Sequence, residues 1–184
     1  MKPKGADGLD ALAQRGIVQC GIAQRGIALG GFMGAGKSTV GASLARLLGL
    51  PFVDLDRWIE DRAGRSVGEI FASDGEAGFR LREADALTSV CGDGPVVLAL
   101  GGGTLHQPGN QAQVEGAFTV FVLDVPWEAL RGRIGDGTGR PLAAEAEALF
   151  AVRRAGYLAA GVAVDGDRPV AVVVAQIASI WRAA

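Results

Sequence analysis

The stretch Gly31-Phe32-Met33-Gly34-Ala35-Gly36-Lys37-Ser38 satisfies G-x-x-x-x-G-K-[ST]. It stands directly after the short apolar run Ile27 to Gly30 and directly before Ser38 to Leu48, whose Val40, Leu44, Leu47 and Leu48 share one helical face. Strand, glycine-rich turn and helix in that order are the context a phosphate-binding loop requires. Gly34 and Gly36 let backbone N–H groups turn inward around phosphates, and the helix start aims its positive dipole end at them. In such a loop Lys37 bridges the β- and γ-phosphates as a mobile point charge, and the Ser38 hydroxyl is a magnesium ligand. Thr39 ends the phosphate-binding run Gly34, Ala35, Gly36, Lys37, Ser38 and reads as a residue that caps or packs the helix. The chain has only three lysines, at positions 2, 4 and 37, among 18 basic residues. An arginine-rich chain that keeps lysine here points to a site too small for a planar guanidinium.

Outward from this loop, short apolar runs alternate with helical stretches. LPFVDLD reads as a second strand, Arg57 to Ala63 as a helix, and Ser66 to Phe71 and Gly78 to Thr88 as further helices. PVVLALGGG and AFTVFVLDV read as strands whose nearly unbroken apolar character implies burial on both faces. Trp127 to Ile134 and Ala144 to Ala155 read as helices, RPVAVVVA as a last strand. The alternation predicts a three-layer α/β/α fold of the P-loop NTPase type, with a central parallel sheet and ligands at the carboxyl ends of its strands. Residues 1–26 read as a loose tail and 27–184 as one domain with a movable lid around 135–143.

Composition narrows the function. The 184 residues fit one domain. A net charge of −2 removes the global electrostatic argument for a nucleic-acid or membrane partner. One histidine, His106, excludes histidine-rich metal sites and reads as a surface residue in a loop. Cys20 and Cys91 lack ligand spacing and suit a reducing cytoplasm. The N-terminal stretch has no apolar run of secretory length, Asp7 and Asp10 interrupting it.

Further candidate site residues lie where strands end. Alternation along a strand would put Asp54 and Asp56 on one side, one for metal and one for substrate, although an aspartate there can equally cap the next helix. Gly101, Gly102 and Gly103 would let backbone approach a ligand, or make a plain tight turn. Arg80 and Glu83 sit one helical turn apart, the spacing of an ordinary exposed pair. Arg140, in GDGTGRPL, suits a lid or a solvated loop. Trp58 reads as a candidate pocket residue, Trp127 and Trp181 as packing residues.

Taken in order, GFMGAGKSTVG, VDLDRWIEDRAGRSVGEIF, DGEAGFRLRE, LALGGG and GRPL resemble the shikimate kinase family from residue 27 to about residue 180. The resemblance implies transfer of the ATP γ-phosphate to the 3-hydroxyl of shikimate in aromatic amino acid biosynthesis, with Mg2+; a cytoplasmic monomer without nucleic-acid or membrane partner is the accompanying expectation. The resemblance also implies that Ser38 and, through water, Asp54 hold magnesium, and that Asp56 accepts the substrate hydroxyls and acts as base. It further implies that Arg80, oriented by Glu83, and an arginine near Tyr157 clamp the carboxylate, with Gly101, Gly102 and Gly103 along the ring. Arg133 would stack on adenine and Arg140 swing in from the lid. The family's R-x-P-x-Y pattern selects Arg153 over Arg154 as the second clamp, but Ala155 stands where the proline would be. A kinase for another hydroxy acid such as gluconate, and an inactive module that senses shikimate or ATP, are the competing readings.

Overall fold

The computed structural model describes residues 25–92, 94–134 and 146–184. Residues 135–145, where a lid carrying Arg140 is expected, and residues 1–24 of the expected tail lie outside the described residues. Five strands form one parallel sheet: β1 (Gly26–Gly30), β2 (Phe52–Asp54), β3 (Val97–Ala99), β4 (Phe118–Asp124) and β5 (Val162–Asp165), in the order β2-β3-β1-β4-β5. The register pairs Leu29 with Ala99 and Phe121, and Asp54 with Ala99. The carboxyl ends of β1, β2 and β3 therefore finish at one edge, where the glycine loop, Asp54 and the triple glycine emerge. Ile27, Leu29, Leu98, Phe121 and Leu123 are fully enclosed, as the unbroken apolar runs require.

Seven α-helices are described: α1 (Lys37–Leu48), α2 (Leu55–Ala63), α3 (Val67–Cys91), α4 (Pro108–Ala117), α5 (Trp127–Ile134), α6 (Ala146–Ala159) and α7 (Val170–Ala183). Their ends follow local chemistry. Left-handed Gly49 and Gly64 close α1 and α2, their N–H groups donating to the carbonyls of Ala45 and Glu60. Ser66 and Glu69 form a reciprocal capping box that starts α3. The two helices expected at 66–71 and 78–88 are halves of α3, broken at Gly75, whose φ is 70°. At the turn Asp74 pairs with Arg65 and Arg82, a clasp that holds its carboxyl below the usual carboxylate range.

The last expected strand is a helix. RPVAVVVA has the composition of a strand, yet Val173, Val174, Ile177, Ala178 and Trp181 form one buried helical stripe in α7, and Pro169 pre-sets its first turn. Packing of that stripe against α1 overrides the β-preference of valine. The true fifth strand, Val162–Asp165, is four residues long and buries only Val164, too short an alternation to stand out. Likewise α4, opened by Pro108, carries no strong apolar period. No helix among the described residues is long and apolar enough to cross a membrane.

Candidate active site

A cavity of about 530 Å3 opens along the carboxyl edge of the sheet, reaching from Gly34 and Gly36 past Asp56 to Arg80, Gly102 and Arg153. Its phosphate-loop end is backbone chemistry. Gly34 and Gly36 have φ of 79° and 93°, and a Cβ on Gly36 would meet nothing within 4 Å, so the glycine there is required by conformation rather than by space. The Lys37 ammonium lies back along the loop and donates to the carbonyls of Gly31 at 2.8 Å and Phe32 at 3.0 Å. Thr39 follows on α1 and lines the cavity with Ser38.

Asp54 ends β2 and serves two purposes at once. One carboxylate oxygen caps α2 by accepting from the Arg57 N–H, and the other accepts from the Ser38 hydroxyl at 2.5 Å. The cap reading is therefore realised, while the second oxygen lies beside Ser38 at the cleft. Asp56 does not share a strand face with Asp54, because α2 begins at Leu55; it is a first-turn helix residue that reaches the cleft by a different path. Burial raises its carboxyl to about 6, against the opposing pull of Lys37 and with help from Asp54, Glu83 and Glu60.

At the other end, Arg80 and Glu83 are not an exposed helix pair. Glu83 is completely enclosed, and a buried carboxylate costs several kcal/mol unless its oxygens are satisfied. Arg80 donates to it at 2.8 Å, the Thr104 hydroxyl at 2.6 Å and the Asn110 amide at 3.2 Å. Glu76 takes two further Arg80 N–H groups at 3.0 and 3.3 Å. The guanidinium is thus locked facing the cleft. Thr104 and Asn110 were not legible as site support: single polar residues after a glycine turn carry no pattern.

The triple glycine acts mainly through space. A Cβ on Gly101 would sit 2.9 Å from Asp56 Oδ1 and 3.0 Å from Glu83 Oε1, and one on Gly103 would fall on the Arg80 guanidinium, 2.8 Å from its Cζ. None of the three has positive φ. The Gly102 carbonyl accepts from Arg153 Nη1 at 3.3 Å and from the Tyr157 hydroxyl. Arg154, by contrast, turns away into a two-point pair with Asp124 at 3.0 and 2.7 Å. Arg133 lines the cleft beside the phosphate loop and pairs with Asp167. Val67, Phe71 and Phe79, all on α3, give the cleft an apolar wall. The aromatic rings of that wall stand 4.9 Å apart.

Two expectations are corrected. Trp58 is not among the cleft residues; it packs against the core under the Arg62 guanidinium, 3.8 Å from the ring centre. His106 is no surface loop residue: it closes a 3-10 turn (Thr104–His106) and packs edge-on against Tyr157. Trp127 and Trp181 do pack, the former against Phe32 and Phe150.

For a divalent cation, the adjacent Ser38 hydroxyl and Asp54 carboxylate offer hard oxygen donors beside a phosphate loop. That donor set fits Mg2+, which takes one or two carboxylates and completes its shell with phosphates and water. No group of three or more His, Cys, Asp or Glu suited to a metal occurs among the described residues, so these offer no complete cage. The arrangement can hold a polyphosphate at one end, a carboxylate at the other, and a raised-pKa carboxyl between them.

Comparison with known proteins agrees with that chemistry. The family model described as shikimate kinase matches residues 33–176. A shikimate kinase of Salinibacter ruber is 42% identical over 170 residues, 84% of this chain and 83% of the relative. The solved shikimate kinase from Acinetobacter baumannii in complex with shikimate superposes with a TM-score of 0.82 at 32% identity, covering 86% of this chain and 93% of that one. A gluconokinase from Sinorhizobium meliloti shares the fold at a TM-score of 0.60 and 21% identity, over 88% of this chain and 93% of its own.

Proposed function

The chain belongs to the shikimate kinase family, and from that membership we infer how its cleft divides the work. It catalyses ATP-dependent phosphorylation of shikimate in aromatic amino acid biosynthesis, giving shikimate 3-phosphate and ADP. Gly34 to Thr39 receive the ATP phosphates on backbone N–H groups and the α1 dipole, and Lys37 leaves the loop carbonyls to meet the β- and γ-phosphates. Arg133 flanks the nucleotide. Ser38 and, through water, Asp54 would hold Mg2+, which supplies charge neutralisation on the phosphates when bound. Arg80 and Arg153 clamp the acceptor carboxylate on either side of Gly101, Gly102 and Gly103. Asp56 holds the acceptor hydroxyl in line and takes its proton as the new oxygen–phosphorus bond forms and the γ-phosphorus to β-bridging oxygen bond breaks. Arg140 is assigned to the lid on its sequence motif. The proposed working unit is a monomer.

The observation that carries this reading is the opposition of a phosphate loop to two arginines locked across a triple glycine, with Asp56 between. Two guanidiniums lining the same end of the cleft suit a carboxylate, and bidentate arginine pairing gives it geometric specificity. The gluconate reading rests on shared fold alone. A coupled ADP-release assay with shikimate, quinate and gluconate in parallel tests it. Turnover should require ATP and Mg2+ and be fastest on shikimate; faster release with gluconate, or a phosphorylated enzyme on the turnover path, refutes it.

A further inference from the structure

We propose that His106 is a positioning residue that fixes the main chain of Arg153, and so the reach of its guanidinium into the cleft. Three observations meet at this ring. His106 Nε2 lies 3.1 Å from the carbonyl of Arg153, and since a carbonyl only accepts, the ring proton is on Nε2. The ring centre is 4.6 Å from that of Tyr157 at an interplanar angle of 85°, an edge-on contact. A Cβ on Gly156 would stand 3.2 Å from His106 Nε2, closer than most side chains tolerate.

The last observation explains a residue that is otherwise out of place. Gly156 lies inside α6, where glycine is among the least favourable choices, and its φ is not positive. Its use there is space: the missing side chain forms the notch that admits the imidazole. His106 closes the turn that directly follows the triple glycine, so the contact ties α6 to the same segment whose Gly102 carbonyl receives the Arg153 guanidinium. Arg153 is then held at two points, its main chain by the His106 ring and its side chain by the Gly102 carbonyl, both from one short stretch of chain.

The ring works as a neutral donor. His106 Nδ1 is buried without a partner, so a second proton would have no acceptor, and Arg153 and Arg80 oppose added positive charge. Burial accordingly holds the imidazole below its usual range.

This inference rests on the reading of Arg153 as a carboxylate clamp, and the experiment separates the two. Steady-state constants for shikimate and ATP are measured for His106→Ala, His106→Gln, Gly156→Ala, the His106→Ala/Gly156→Ala pair and Arg153→Ala, with melting curves for each. Losing one hydrogen bond predicts a shikimate KM about three- to tenfold higher in His106→Ala, with the ATP KM and kcat within about twofold. His106→Gln, whose amide N–H can reach the same carbonyl, should recover most of the loss. Gly156→Ala should raise the shikimate KM in the wild-type background but add nothing once His106 is alanine, the non-additivity expected of touching residues. A lowered melting temperature with an unchanged shikimate KM, equal loss toward both substrates, or an additive double variant would overturn the positioning role. If Arg153→Ala leaves the shikimate KM unchanged, the clamp reading itself fails. If it raises that KM while His106→Ala does not, only the present inference fails.

Discussion

The two ends of the cleft are built on different principles. The nucleotide end is one contiguous run, Gly31 to Ser38, in which backbone N–H groups, a helix start and a lysine are all set by local conformation. The acceptor end is assembled from pieces far apart in the chain: Asp56 on α2, Arg80 and Glu83 on α3, the glycines after β3 and Arg153 on α6. A local loop can be transplanted between proteins with different acceptors; a distributed clamp cannot. The gluconokinase from Sinorhizobium meliloti shares the fold with this chain while differing at about four of every five aligned positions.

If the nucleotide end depends on local shape, the largest loss should come from its lysine. Lys37→Met should abolish turnover without disturbing the melting temperature, and Lys37→Arg should fail almost as completely, since the loop carbonyls of Gly31 and Phe32 receive a point donor. Near-normal turnover by Lys37→Arg would break the claim that this end reads shape as well as charge.

At the junction of the two ends, Asp56→Asn keeps size but removes the carboxylate proposed to face the acceptor hydroxyl. Turnover should fall by roughly 10²- to 10⁴-fold, the range of general-base contributions. ATP affinity measured by calorimetry should stay within about threefold. Loss confined to nucleotide binding would move Asp56 to the other side of the comparison.

The same contrast decides what was legible in the sequence. The phosphate loop announced itself as a motif, and the three-layer parallel fold followed from strand and helix alternation, whereas Asp54, Arg80, Glu83 and the triple glycine each had an ordinary structural reading and owed their expected site roles to the family resemblance. Three things were not legible. Asp56 reached its place through the start of α2, because Asp54 caps that helix two residues earlier than the apolar pattern suggested. The valine-rich C-terminal run is a helix because its stripe is buried at helical spacing, a tertiary fact that composition conceals. Thr104, His106, Asn110 and Gly156 act through contacts across the chain: two satisfy the buried Glu83, and two interlock beside Arg153. Single residues without a period or motif acquire meaning only once the fold has brought their partners close.

The sharpest measurement compares the two neighbouring arginines on shikimate and on its carboxyl methyl ester. Arg153 meets the Gly102 carbonyl at the cleft, whereas Arg154 spends its guanidinium on Asp124 with half of its side chain exposed. Losing one partner of a desolvated charged pair predicts a shikimate KM at least about thirtyfold higher in Arg153→Ala. Arg154→Ala should change it by less than about threefold, as for an exposed pair. The preference for shikimate over its ester, taken as the ratio of kcat/KM values, should collapse by at least about tenfold in Arg153→Ala and hold in Arg154→Ala. A preference that survives in Arg153→Ala, or falls in Arg154→Ala instead, would contradict the distributed carboxylate clamp on which the account of the acceptor end stands.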